Sequence, residues 1–370
     1  MQGFEQMRPV NKPASNSQYA PPAILTFARG NAQLLRKLTG AALTPGNCKV
    51  TLTQVLGWLL KNATGSVLSG LSASEQKTLI KVLEERVASI YKTAAAPLTQ
   101  ALGAYCSYCG TGLPGLVEIE HTVPKAPYPT FATEWKGFLL SCGPCNTSKG
   151  NDPDRAQSTA WTRMKGPAEQ DLYDEIRRRY VWPDQDHTCW LDLPAELDYL
   201  DVASNRWVPL TTSHSTSLDN VLVAYDVLNH QVLADINVGG TLLRNVQVAV
   251  RVRAVRGKPW ADDMIDLVGL NEDMVSPATG TYDRRQMNRT RAWFDALEAC
   301  RQLSTAKSPQ GFDQLWRQVP VFAARSGFYA VWLTVLQQFQ DPVGVDCAAR
   351  FVADTSTVLH FPNTCTTHLP

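Results

Sequence analysis

Four cysteines constrain this chain more than any other feature. They fall in two pairs, Cys106-Ser-Tyr-Cys109 and Cys142-Gly-Pro-Cys145, with 32 residues between the pairs. A CxxC knuckle turns sharply enough to aim two thiolates at one ion. Two knuckles complete a tetrahedral site with Zn–S bonds of about 2.3 Å. Gly110, after the first pair, and Gly143, inside the second, suit the tight turns this needs. The spacing predicts a structural zinc ion held by Cys106, Cys109, Cys142 and Cys145; a redox dithiol is the competing reading. Zinc alone implies a segment folded around a metal and says nothing of catalysis.

The rest of the chain sets the context for those thiols. Met1 to Arg8 shows no basic start followed by an apolar run, so no secretory signal is expected. No stretch of about 18 apolar residues occurs, so no membrane span is expected. A cytoplasmic location follows as the expectation, and in a reducing compartment clustered cysteines are more often metal ligands than disulfides. Lys and Arg number 35 against 34 Asp and Glu, a net charge of +1. That balance speaks against a free-standing nonspecific DNA binder, because phosphate neutralisation supplies most nonspecific affinity. Contact with nucleic acid would have to come from local patches or a partner.

Composition and periodicity divide the chain into four parts. Residues 1–22, rich in Pro, Asn, Ser and Gln, read as a flexible arm. Residues 23–100 read as a helical layer, with Val55, Leu56, Leu59 and Leu60, then Leu79, Val82, Leu83, Val87 and Ile90, at helical spacing. Ser72 and Glu75 predict a capping box before the second stretch. Residues 101–180 hold the cysteine module. Residues 181–370 read as mixed α/β, with strands expected over 221–225 and 246–252 and helices over 283–340. The expected class is α+β.

Between and beside the knuckles the chain reads Val117-Glu118-Ile119-Glu120-His121-Thr122-Val123-Pro124-Lys125 and Cys145-Asn146-Thr147-Ser148-Lys149-Gly150. An acidic residue directly before a histidine, followed later by CxxC-Asn-x-x-Lys-Gly, resembles the zinc-knuckle members of the HNH endonuclease family. The resemblance covers about 50 residues. It implies a ββα-metal core, two short strands and a helix around a catalytic divalent cation.

Phosphodiester hydrolysis needs a deprotonated water, a cation against the developing charge, and positioning. The resemblance assigns His121 as general base, a role its ordinary pKa of about 6.5 allows. It assigns Glu120 and Asn146 as oxygen ligands of Mg²⁺ or Mn²⁺, and Lys149 as a phosphate contact near a helix start. The alternatives are a structural histidine, a solvated glutamate, a turn asparagine and a surface lysine. Because adjacent strand residues point to opposite faces, Glu120 and His121 can share one site only at a bend or turn. In one respect the chain departs from the family: Gly137 stands where an asparagine usually holds the active-site loop, five residues before the third cysteine. The Thr122 or Ser141 hydroxyl is the candidate substitute.

Three flanking patterns add a weaker resemblance: Trp182-Pro183-Asp184, then Gly269-Leu270-Asn271 before an arginine-rich helix, and Gly327-Phe328-Tyr329. Together with the helices before the module, they resemble HNH proteins of bacterial anti-phage systems. The nearest group is the nuclease subunit of Septu-type and related retron systems, which works with an ATPase partner. Arg177 and Arg178, with Arg284, Arg285 and Arg289, are candidate nucleic-acid contacts, Arg285 and Arg289 sharing a helix face at i, i+4. Cys48, Cys189, Cys300, Cys347 and Cys365 lack knuckle spacing and read as core thiols. The leading expectation is a metal-dependent DNA endonuclease. An RNase, and a zinc-binding interaction module without catalysis, are the competing readings; the joint presence of Glu120, His121 and Asn146 argues against the last.

Overall fold

A computed structural model describes residues 8, 10–28, 31, 34, 35, 37, 49–63, 70–115, 117–150, 169–185, 195–210, 223–226, 229–254, 259–272, 283–339 and 343–364. Cys48, His187, Cys189 and Cys365 lie outside them. The architecture is mixed α+β. No helix among the described residues is long and apolar enough to cross a membrane.

The front of the chain pairs β1 (Ile24–Thr26) with β2 (Lys49–Thr51) and adds helices α1 (Leu52–Ala63) and α2 (Ala73–Tyr91). The capping box is present: the Ser72 side chain accepts from the Glu75 N–H and Glu75 reaches back to the Ser72 N–H. Leu79, Leu83, Val87 and Ile90 form the buried stripe of α2 and pack on Leu25, Val50, Val55 and Leu59. Among the described residues, the only fully buried member of this core from later in the chain is Ala132.

Helix α3 (Ala95–Leu102) leads into the cysteine module. Strands β3 (Glu118–His121) and β4 (Phe138–Ser141) pair antiparallel, with Glu118 opposite Ser141 and His121 opposite Phe138. Helix α4 (Gly143–Lys149) follows directly. This module does not end at residue 180. Its core takes in Ala261, Met264, Ile265 and Val268 from α6 (Pro259–Val268), which packs on α4, as well as Trp182 after α5 (Glu169–Arg179).

The C-terminal half is a five-stranded antiparallel sheet in the order β6-β5-β9-β8-β7, formed by β5 (Ala195–Asp201), β6 (Arg206–Pro209), β7 (Val223–Asp226), β8 (Gln231–Val238) and β9 (Thr241–Val252). Leu197, Val232, Ala234, Ile236, Val248 and Val250 present its apolar face to α7 (Arg285–Leu303), on which α8 (Tyr329–Gln338) packs. Cys300 and Cys347 are buried in this core, as core thiols should be. Where β9 runs beyond its pairing with β8, side chains take over on that edge. The Thr290 hydroxyl accepts from Val250 N–H at 2.8 Å. The Asn271 amide both accepts from Val252 N–H and donates to Val252 O.

The described part of the N-terminal arm is not free, contrary to the flexible arm its composition suggests. Val10 bridges to Thr364, and its N–H donates to Pro183 O at 2.8 Å. Arg8 is buried and donates to the carbonyls of Leu102 and Pro362 and to the Thr364 hydroxyl. Lys12 caps the carbonyls of Trp135, Lys136 and Phe138 and pairs with Asp184 at 2.9 Å. Arg177 meets the other Asp184 oxygen at 2.9 Å. Arg8 and Lys12 satisfy buried backbone carbonyls, while most of the residues between Asn11 and Pro22 stay exposed.

Burial disfavours an ionised Asp184, but Lys12 and Arg177 outweigh it and hold the carboxyl below its usual range. Its contribution is therefore fully present above the unfolded-state pKa of about 3.9 and is lost as pH falls through the lower folded value. Asp184→Asn leaves buried Lys12 without its counter-charge and is expected to cost about 3–5 kcal/mol in urea unfolding at neutral pH. The gap between wild type and variant should narrow below about pH 4.

Candidate functional site

The four knuckle cysteines converge. One Sγ from each of Cys106, Cys109, Cys142 and Cys145 lies within 4.8 Å of the others, all four residues are buried, and none is in a disulfide. Cys109 and Cys142 sulfurs are 3.7 Å apart. Ligands at about 2.3 Å from a tetrahedral zinc stand about 3.8 Å apart, so the spacing fits the ion. Local structure holds the set in place. Gly110 N–H donates to Cys106 O at 2.9 Å, closing the first knuckle, and Ser107 N–H donates to Leu140 O at 2.8 Å, sewing it to β4. Cys142 is the N-cap of α4 and Cys145 lies in its first turn. Burial and the neighbouring thiols push the Cys109 and Cys145 thiols well up. A cation offsets that cost, and four buried sulfurs without one would be an expensive arrangement. The cluster can hold a zinc ion.

Arg285 belongs to this centre. Its Nη1 lies 2.9 Å from Cys145 Sγ and 2.7 Å from Val268 O, and Asp283 holds the other side of the guanidinium. One positive charge against a four-thiolate zinc site is a stabilising second layer. Arg289 is fully buried and donates to Val250 O and Leu270 O at 2.8 and 3.0 Å. These two arginines do share a helix face, as their spacing predicts, but it is the buried face. The expected nucleic-acid contact is therefore corrected for both. Arg177 is turned inward to Asp184, with its guanidinium over the Trp182 ring. Only Arg178 and Arg284 of the five stand exposed.

Beside the thiols lie the acidic strand and the helix. Glu120 and His121 are consecutive in β3, and the structure separates their side chains as strand alternation requires. The Glu120 carboxylate turns to α4 and pairs with Lys149 at 2.6 Å, both side chains almost wholly buried. Lys149 also donates to His121 O at 2.8 Å. Burial raises the Glu120 carboxyl, with Lys149 opposing. One turn earlier on α4, Asn146 donates through Nδ2 to the exposed Glu118 carboxylate, which leaves its own Oδ1 open. Glu118 is two residues before Glu120, hence on the same strand face; the alternation Glu-x-Glu was the signal for it. On this side of β3 stand the Glu118 and Glu120 carboxylates and the Asn146 amide, with the Lys149 ammonium paired to Glu120.

The His121 imidazole lies on the other side of β3. It meets the Tyr91 ring edge-on at 4.7 Å and the Phe138 ring at 5.1 Å. Its Nε2 is 3.1 Å from Ala132 O. A carbonyl only accepts, so Nε2 carries the proton and Nδ1 is the basic nitrogen. Burial, with Lys125 and Lys149 nearby, pushes the imidazole down to about 3, so the ring is neutral.

Around Gly137 the loop is held through backbone. Thr122 N–H and Thr122 Oγ1 both donate to Gly137 O, at 2.9 and 3.3 Å, tying the loop after His121 to the start of β4. Ser141 instead bonds to Cys142 O. A Cβ on Gly137 would meet only ordinary contacts with Thr122 and Tyr173, so the position is not glycine for lack of space.

Purified protein is expected to carry about one zinc per chain. Arg285→Met should weaken zinc retention roughly 10- to 100-fold in a chelator competition. An unchanged affinity would show that Arg285 serves packing alone. Comparison with protein-family models, with curated proteins and with solved structures finds no match for the chain.

Proposed function

We propose that this protein is a metal-dependent HNH-type endonuclease that hydrolyses DNA phosphodiester bonds. The observation that carries the reading is the order in which chemistry-bearing residues leave the thiol cluster. A strand with Glu118, Glu120 and His121 pairs with the strand that runs into the second knuckle, and the helix of that knuckle presents Asn146 and Lys149. A zinc ribbon needs none of these side chains; a phosphodiesterase would use all of them, and the reading requires His121, which lies on the opposite face of β3, to reach the water beside Glu120 and Asn146.

In this reading Glu120 and Asn146 Oδ1, with Glu118 beside them, would hold Mg²⁺ or Mn²⁺, which would supply charge stabilisation for the phosphate and the leaving oxygen. His121 would take the proton of the attacking water at Nδ1, with Ala132 O fixing the tautomer through Nε2. Lys149, paired with Glu120, would contact the phosphate once that pair opens. Thr122 keeps the loop between these groups in register through Gly137. The flanking resemblance supports use in anti-phage defence beside an ATPase subunit, which would also supply the nucleic-acid grip that a chain of net charge +1 lacks.

The test is cleavage of supercoiled plasmid and of total RNA by wild type and by His121→Ala, with Mg²⁺, Mn²⁺ or EDTA. Metal-dependent nicking of the plasmid that falls about 10²- to 10⁴-fold in the variant is expected. Cutting of RNA alone would move the substrate to RNA. No cutting by a zinc-loaded wild type, alone or with its native partner, would leave a non-catalytic zinc module.

A further inference from the structure

The fold buries the group that the proposed reaction most needs to reach water. His121 is 5% exposed, with rings on two sides and a carbonyl on Nε2. Phe138 is its cross-strand neighbour and belongs to the module itself. Tyr91 does not. It is the last residue of α2, the helix whose other buried residues build the separate core of the front layer. Among the described residues Tyr91 and Ala132, both packed in that layer's core, touch His121, and α1 also packs on the turn over Pro129–Phe131. The Lys125 ammonium lies 5.5 Å from the centroid of the Tyr91 ring, on the loop that follows His121.

We propose that Tyr91 is an autoinhibitory cover on His121, pinned by Lys125 and carried by the front helical layer. The active state requires Tyr91 to leave, by rotation of its side chain or by a shift of the layer. This rests on the nuclease reading for its purpose but not for its geometry. Ala132 O can stay in place, since it orients the imidazole without blocking Nδ1. Tyr91 is suited to the role because it sits at a junction, where α2 gives way to a 3₁₀ turn over Lys92–Ala94 before α3. The layer's core is its own but for Ala132, so a shift of the layer would turn on that contact. A phosphate drawn to Lys125 would compete with the cation–π contact that holds the ring down.

Diethyl pyrocarbonate modification of the full chain at about pH 7.5, where an ordinary imidazole is largely neutral, reports access to each histidine when read by peptide mass mapping. His360, partly exposed, is the internal reference. If the open state is about 10% populated or less, His121 in wild type reacts about tenfold or more slowly than His360. Tyr91→Ala should bring it to a rate similar to that of His360, while Tyr91→Phe keeps it slow. Lys125→Gln, a change at an exposed position, should speed His121 roughly two- to fivefold, which keeps the test sound if Tyr91→Ala fails to fold. Equal rates for His121 and His360 in wild type would overturn the cover, as would a folded, zinc-loaded Tyr91→Ala in which His121 stays slow. In the plasmid assay Tyr91→Ala should nick about tenfold faster than wild type. If neither protein cuts while the modification pattern holds, the cover stands and the nuclease reading falls.

Discussion

The four-thiol cluster is the point from which the rest of the structure is hung. Its first knuckle is tied to β4, its second opens α4, and Arg285 on α7 reaches its Cys145 sulfur. Gly110, just past the first knuckle, accepts from Phe328 N–H at 2.8 Å, and Thr111 bridges to Gly327. That contact needs a glycine: a Cβ on Gly327, at φ +74°, would stand 2.6 Å from Gly110 O. Phe328 itself is held at φ +55°, an uncommon place for a bulky residue, which the packing around the knuckle imposes. The thiol cluster is therefore also the joint between the module and the C-terminal helices.

The three flanking patterns find a structural explanation in the same terms. Trp182 is fully buried and Asp184 closes the Lys12 and Arg177 pair, so Trp-Pro-Asp seats the N-terminal arm. Asn271 completes the β9 ladder. Gly327-Phe328 forms the elbow against the knuckle. Each is a short motif because each solves a local backbone problem at a seam between parts of the chain. Buried unpaired N–H, C=O and charged groups are costly: Asn271 pairs the Val252 backbone, Phe328 N–H pairs with Gly110 O, and Asp184 pairs Lys12 and Arg177.

Strand alternation places opposing demands on the candidate site. Placing Glu120 and His121 next to each other sends the carboxylate to α4 and the imidazole to α2. One becomes half of a buried ion pair with Lys149 and the other is enclosed by aromatic rings. Both groups are thereby held in fixed orientation, at the expense of access. A buried pair such as Glu120 and Lys149 adds little net stability but is costly to break from one side. It would release Glu120 only to another cation.

The sequence by itself determined what depends on spacing and on local backbone chemistry. The four thiols, the Ser72 capping box, the stripe of α2 and the strands β7 and β9 were legible, because CxxC turns, caps and periodicity act over a few residues; Lys149, expected near a helix start, is instead the last residue of α4, buried against Glu120. Glu118 was legible too, in the i, i+2 alternation, once its neighbour was singled out. Only the tertiary structure decided which way long side chains point. Arg285 and Arg289 read as surface cations until the buried face of α7 proved to be theirs. Residues 10–22 read as solvated until Lys12 found Asp184, 172 positions away in the chain. Tyr91 carried no signal at all, since its meaning comes from a ring 30 residues later that the fold brings to within 4.7 Å. Charge and polarity state what a group needs; whether water, a carbonyl or a buried counter-charge meets that need is settled by packing between distant segments.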